Sequence, residues 1–467
     1  MSRKIDLPTA AEMQKFHDKS QRHNFWSRIS MPQRLSLGFL TVITVGALLL
    51  MLPLSYHGNV GHTFMDGLFT ATSAASVTGL TVVDTATHWT TFGQIVIMVL
   101  IEIGALGFMS FSVLLFTATR KKMDLRSKMM VQEVYNLESL YDTRVVFGYV
   151  IKLSVIIQSI GAMLLAPFFI NDFGWKHGMF YAVFHAISAF GNSGFSILPH
   201  GTAAYNNQPW ILLIIAFLII AGSLGFLVWR DLLIYRTTHR LTLHSKLALV
   251  MTGVLIVGGW LLFELTERNM NSAQDIQPIN RIFDTLFMSI SYRTAGFAQF
   301  GFDSMSSATV LLTMMLMYIG GTPGSTAGGI KTTTLGVLIL QTHAALRGKK
   351  DVVFSHRRLS HENIVRALLL VFVSLAFLGI LSFLLMLTQE HTAHYGLEYI
   401  IFEVVSAFAT TGLTLGLTPH LTTFGQLIIM LAMFIGRVGI YTVMFSILNV
   451  HDDKAPFRYP EESVIIG

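Results

Sequence analysis

The sequence predicts an all-α membrane protein: four repeats of helix, half-length pore helix and helix around a pseudo-fourfold axis, with eight spanning helices. Three observations predict it. The chain is 52% hydrophobic and only 12% charged, whereas soluble globular domains carry about 25% charged residues. Basic residues alternate along the chain: of 32 Lys and Arg, seven lie in 1–34, six in 119–145, four in 230–246 and six in 341–366, while 53–92 and 388–423 hold none and 171–209 holds only Lys176. A glycine-centred segment recurs once between each pair of basic connections.

The elements follow in order. Residues 1–34 are polar and basic, without the apolar core and cleavage site of a signal peptide, and are read as a retained cytoplasmic tail. Repeat 1 (35–120) has a long apolar run at 35–54, a short amphipathic piece at 64–77 and a long run at 92–117. Repeat 2 (121–240) has 145–170, 178–190 and 209–229. Repeat 3 (241–350) has 246–264, 280–292 and 307–340, the last interrupted at 320–331, and repeat 4 (351–450) has 364–388, 395–408 and 422–448, followed by a tail at 451–467. A spanning helix needs about 20 apolar residues, and a piece of 10 to 14 suits a re-entrant segment. The positive-inside rule assigns the basic connections and both termini to the cytoplasm. Nucleic-acid binding would need those charges on one contiguous face, so no nucleic-acid partner is expected, whereas a basic tail beside anionic lipid is.

The repeats are alike in sequence. SAASVTGLTVVDT (73–85) and SAFATTGLTLGLT (406–418) share Ser, Ala and Thr-Gly-Leu-Thr in register, and TTFGQIVIM (90–98) recurs as TTFGQLIIM (422–430). Weaker copies are SAFGNSGFS (188–196) and SISYRTAGFA (289–298). Alignment on Gly79, Gly194, Gly296 and Gly412 puts Ser73, Ser188 and Ser406 six residues earlier, with Ile290 as the exception.

Each short helix is expected to end before its glycine, leaving an extended stretch with free carbonyls. At membrane depth such backbone is tolerated only where protein buries it or where it lines an aqueous cavity. Carbonyls from all four copies can replace the hydration shell of a cation, and glycine reaches backbone angles closed to other residues. The ring residues are Val77, Thr78 and Gly79; Asn192, Ser193 and Gly194; Thr294, Ala295 and Gly296; and Thr410, Thr411 and Gly412, with a potassium ion expected at the four glycines. The short helices would aim their negative ends at the axis, and Asp66, Asp284 and Glu398 are expected in the first turns of three of them. Glycines that only let helices pack are the competing reading.

The glycine copies, the interrupted run at 320–331 and the tail RYPEESVIIG resemble the membrane subunits (KtrB) of Ktr-type potassium uptake systems, in the Trk/Ktr/HKT superfamily, over nearly the whole chain. The resemblance implies potassium uptake across a bacterial plasma membrane, sodium as activator, a homodimer with one pore per subunit, and a cytosolic KtrA-like nucleotide-binding ring as regulator. It departs from potassium channels in having one glycine per copy instead of two.

GGTPGSTAGGIKTTT (320–334) approaches a P-loop, but Ile330 spoils the GxxxxGK[ST] spacing and an apolar run precedes it where a strand is required. It is read as a break inside a spanning helix, either a kink or, as the resemblance implies, an intramembrane gate made of Gly320, Gly321, Thr322, Pro323, Gly324, Ser325, Thr326, Ala327, Gly328, Gly329 and Lys331. Arg437 joins this gate set because an arginine amid MLAMFIGRVGIYTV costs about 2.5–3.5 kcal/mol on insertion scales; it is expected near the middle of the last helix, below the glycine ring. Glu102 has structural and ion-contact readings alike, as Asp84 has solvated-loop and mouth readings. Without cysteine, thiolate chemistry, thiolate metal sites and disulfides are excluded, and no GxSxG or HExxH occurs. No enzyme activity and no organic cofactor are expected. A secondary cation symporter with broken helices is the alternative, although its inverted repeats would put basic loops on opposite sides.

Overall fold

The computed structural model describes residues 31–58, 61–107, 143–199, 201–267, 278–301, 305–389, 396–440 and 443–444. Residues 1–30 of the tail, the end of the 92–117 run, most of the 119–145 connection and the 451–467 tail with its RYPEESVIIG motif lie outside the described residues.

Repeat 1 comprises α1 (Met31–Leu50), α2 (Phe64–Ser76), α3 (Thr85–His88) and α4 (Thr91–Leu106). Repeat 2 comprises α5 (Thr143–Gly191), α6 (Pro209–Ser223) and α7 (Phe226–Thr238). Within α5 the helix breaks at Gly174 (φ 77°), separating a long first helix from a short second one. Repeat 3 comprises α8 (Leu243–Thr266), α9 (Pro278–Ser291), α10 (Ser307–Tyr318) and α11 (Thr332–Leu346). A small hairpin, β1 (Val353–Phe354) with β2 (Arg357–Arg358), precedes repeat 4, which comprises α12 (His361–Thr388), α13 (Leu397–Ala409) and α14 (Thr423–Val438).

Local chemistry sets the helix starts. Thr90, Thr242, Ser306, Ser360 and Thr422 each cap a helix, their hydroxyls accepting the backbone N–H three residues on. The duplicated TTFGQ is thereby explained as an N-cap threonine followed by a tightly packed glycine, since a side chain on Gly93 would overlap the Ser55 carbonyl. Thr63 and Asp66 form a reciprocal capping box on α2.

Among the described residues, four helices are long and apolar enough to cross a membrane alone: 33–50, 148–191 with its break, 243–266 and 361–388. These are the first helices of the four repeats. On α12 the buried positions are confined to one side, while Phe372, Ile380 and Phe383 are exposed, as a lipid-facing surface requires.

Three expectations need correction. The second long run is expected to break only in repeat 3, yet in each of the other three the helix also stops at a glycine of positive φ: α4 ends at Gly107 (φ 79°), α6 and α7 meet at Gly225 (φ 78°), and α14 ends at Gly439 (φ 93°). Arg437 therefore lies in the last turn of a helix, not near the middle of one. Asp284 lies well inside α9, which begins at Pro278, not in its first turn, whereas Asp66 and Glu398 do occupy first turns.

Candidate functional site

The short helices α2, the end of α5 and α13 stop in the same way. Val77 (φ 58°), Asn192 (φ 60°) and Thr410 (φ 53°) are left-handed, and the N–H groups of Thr78, Ser193 and Thr411 return to the carbonyls of Ser73, Ser188 and Ser406 at 2.8, 2.9 and 2.9 Å. Such caps satisfy carbonyls that a helix end leaves free. A left-handed valine is strained, at about 1–3 kcal/mol, so the surrounding packing holds it. Repeat 3 differs: it has no left-handed residue before Gly296, and Ser291 O accepts from the N–H groups of Thr294, Ala295 and Gly296. That explains why the serine comes one residue late there. Ser291 Oγ donates to Phe297 O (2.8 Å), much as Ser188 Oγ donates to Phe195 O (2.6 Å). In repeats 1 and 4 the serine works in the opposite sense, Ser73 and Ser406 accepting from Gly79 N–H (3.0 Å) and Gly412 N–H (3.1 Å).

Gly79, Gly194, Gly296 and Gly412 all have positive φ, at 91, 70, 73 and 88°. They touch one another in cyclic order. A Cβ on Gly79 would overlap Ser193 O, one on Gly194 would crowd Ala295 O, one on Gly296 would overlap Thr411 O, and one on Gly412 would overlap Thr78 O. The structure thus brings all twelve ring residues together, and the eight that are not glycine are buried: Val77, Thr78, Asn192, Ser193, Thr294, Ala295, Thr410 and Thr411 are at most 1% exposed. Phe195, Phe297, Leu80 and Leu413, which follow the glycines, are buried packing.

The 320–331 segment leaves and re-enters the helix through a narrow neck, where Gly320 N–H donates to Ile330 O (2.7 Å) and Ile330 N–H donates to Tyr318 O (3.1 Å). Its residues are held beneath the ends of two short helices. Thr326 Oγ1 donates to Phe190 O (3.1 Å), near the end of α5, and a side chain on Gly328 would strike Thr410. Thr322, N–H and hydroxyl, donates to Ser223 O and Leu224 O at the break of repeat 2, Thr326 N–H donates to Gly222 O (3.2 Å), and Phe226 N–H donates to Gly324 O (3.1 Å). Two cations grip adjacent loop carbonyls: Lys331 Nζ donates to Ala327 O (2.6 Å) and Arg437 donates to Thr326 O. The same guanidinium also donates to Gly104 O and to Ala105 O (3.2 Å), at the break of repeat 1.

The breaks themselves were missed in the sequence, although a signal exists. Gly104 to Phe108 reads GALGF, Gly222 to Phe226 reads GSLGF and Gly436 to Ile440 reads GRVGI. The second glycine of each takes the positive φ, and the first packs on its own repeat's short helix, where a Cβ would overlap Ala75 O, Phe190 O and Phe408 O respectively. Glu102 is held by Gln158 (2.8 Å), and Asp84 caps α3 through Ala86 N–H and Thr87 Oγ1. Away from the ring, His62 Nδ1 meets His88 Nε2, at the end of α3, at 3.2 Å, and burial lowers both imidazole pKa values below the ordinary 6.5. Among the described residues no group of three or more His, Asp and Glu could hold a metal ion.

Comparison with known proteins gives concordant results. The family model TrkH, described as a cation transport protein, matches residues 30–458. The potassium/sodium uptake protein NtpJ of Enterococcus hirae is 45% identical, over 94% of this chain and 98% of its own length. The Ktr system potassium uptake protein B of Bacillus subtilis is 40% identical over 95% of this chain and 98% of its own. In fold, the crystal structure of the potassium transporter TrkH from Vibrio parahaemolyticus superposes with a TM-score of 0.70 at 17% identity, covering 91% of this chain and 86% of that one.

Proposed function

The chain belongs to the TrkH family of cation transport proteins, and from that premise we propose that it takes potassium up across the plasma membrane through a channel-like path on the axis of the four glycines. The observation that carries the reading is the cyclic contact of Gly79, Gly194, Gly296 and Gly412. Backbone carbonyls at the residues before them (Thr78, Ser193, Ala295 and Thr411) replace water around a monovalent ion, and the buried side chains behind keep those carbonyls in place. The mechanism needs no proton transfer or covalent step. Ring geometry sets which ion is best compensated for its lost hydration shell.

The 320–331 loop is the gate in this reading. It is held under the ring by Thr322, Thr326 and Arg437, and the positive charge of Lys331 and Arg437 adds an electrostatic barrier on the cytoplasmic side of the ring. The printed name of NtpJ couples potassium with sodium, which supports sodium as activator. The word "system" in the name of the Bacillus subtilis relative supports a multi-component assembly, here a homodimer on a cytosolic nucleotide-binding ring, with both termini cytoplasmic.

The test is Gly296→Ser, whose Cβ would overlap Thr411 O. Potassium uptake in cells lacking other uptake routes, with sodium as competitor, is expected to lose about tenfold in discrimination, the equivalent of about 1.4 kcal/mol. Unchanged competition between the ions would refute the carbonyl ring.

A further inference from the structure

Aligning the repeats on their glycines exposes a tie outside the ring. In repeat 2 the side chain nine residues before the glycine is His185, and the hydroxyl two residues after it is Ser196; His185 Nε2 and Ser196 Oγ are 3.0 Å apart. His185 Nδ1 must donate to Tyr181 O (2.8 Å), so in the neutral ring Nε2 accepts from Ser196. In repeat 4 the same two positions hold Glu403 and Thr414, and Thr414 Oγ1 donates to Glu403 Oε2 at 2.8 Å. The hydroxyls are used alike on their other side, Ser196 accepting from Leu198 N–H (3.2 Å) and Thr414 from Gly416 N–H (3.0 Å), four residues after the glycine in both repeats. Glu403 gains a second hydroxyl, from Thr418.

The other two repeats lack the tie. Phe287 and Ala298 fill the two positions in repeat 3, and in repeat 1 Thr70 Oγ1 is buried without a hydrogen-bond partner. Repeat 3's returning strand is instead held from repeat 2, by Thr202 Oγ1 donating to Ala298 O (2.9 Å) and Asn206 Nδ2 donating to Gln299 O (3.3 Å). His185 and Glu403 are both fully buried. Burying such groups is costly unless hydrogen bonds compensate, and Phe287 shows that an apolar side chain fills the same position where no hydroxyl faces it. Gly194 and Gly412 are not neighbours in the cyclic order of the glycines, so the two ties grip opposite sides of the ring.

We propose that His185 and Glu403 are positioning residues for ion selectivity: through Ser196 and Thr414 they fix the returning strands of two opposed ring segments and so the width of the carbonyl ring. The proposal rests on the carbonyl-ring reading above. Thr414→Val and Ser196→Ala delete the tie's hydroxyl, while Thr414→Ser and Ser196→Thr retain it, all in the full chain with its normal partners. The readouts are the potassium KM, the sodium inhibition constant and the maximal rate, each normalised to protein in the membrane. Deleting either hydroxyl is expected to cut potassium-over-sodium discrimination about tenfold, with the maximal rate changed less than about twofold, and the hydroxyl-retaining variants to restore it. Gly296→Ser run alongside separates the failures. Discrimination lost in Gly296→Ser but kept in both Thr414→Val and Ser196→Ala overturns the tie, as does an equal fall in rate for both ions. Discrimination kept in all three overturns the ring reading and the tie with it.

Discussion

The helix breaks of repeats 2 and 4 share two glycines at the same spacing and differ in polarity at one position, the residue after the first glycine. GSLGF (222–226) and GRVGI (436–440) both place the first glycine against a short-helix carbonyl and the second at positive φ. Where repeat 2 has Ser223, repeat 4 has Arg437, and repeat 1 has Ala105. Ser223 offers its backbone carbonyl to Thr322 from one side of the loop, whereas Arg437 reaches across to Thr326 O and to the break of repeat 1. The glycines are thus a shared structural device, and the arginine is an addition that ties three repeats together through the loop.

The sharpest way to break that comparison is at the shared element. Gly222→Ala and Gly436→Ala would drive a Cβ into the carbonyls of Phe190 and Phe408; overpacking of this kind costs about 1–3 kcal/mol or more. Both variants are expected to reach the membrane poorly and to lose thermal stability, measured as the non-aggregated fraction of detergent-solubilised protein after heating. A wild-type profile for both would show that the breaks do not depend on close approach.

Arg437→Ser, which copies repeat 2, leaves the glycines intact and removes charge-assisted hydrogen bonds of about 1.5–3 kcal/mol each. Folding should persist while the loop loosens, raising potassium flux by roughly tenfold. Flux and its regulation both unaltered would leave the arginine a purely structural group. Thr322→Val removes only a neutral hydroxyl from the repeat 2 side, worth about 0.5–1.5 kcal/mol, and a rise of roughly twofold to tenfold in flux is expected. An effect larger than that of Arg437→Ser would reverse the ranking of the two anchors.

The smallest effect lies away from the breaks and the ring, at His62 and His88. Both pKa values are depressed in the folded protein by burial, so their contact contributes fully above the unfolded value near 6.5 and is lost as pH falls through the folded values. Thermal stability should therefore decline on acidification below about pH 6.5, less steeply in His62→Gln. An identical slope in that variant would place the sensitivity elsewhere.

Much of this architecture was legible because each repeat carries a sequence copy. The TGLT, SGF and AGF segments marked the ends of the short helices to within a residue, and the close match of 73–85 with 406–418 is mirrored in a serine hydrogen bond that repeats 1 and 4 share. The breaks at Gly107, Gly225 and Gly439 escaped because leucine, valine and phenylalanine flank them, so hydropathy stays high where the helix stops. Arg437 was misplaced along its helix for that reason. Asp284 looked like a first-turn acid because proline at 278 was not taken as the helix start, although proline favours that position. The ties from His185 and Glu403 were illegible in any single repeat, since imidazole and carboxylate share no pattern beyond their spacing from the glycine.

The central claim is that carbonyls at Thr78, Ser193, Ala295 and Thr411 surround a permeating ion. Anomalous scattering from crystals grown in rubidium tests it most directly. The account predicts a peak on the common axis within coordination distance of those four oxygens, and its loss on exchange into sodium. A rubidium peak lying elsewhere in the chain, with none on that axis, would contradict it.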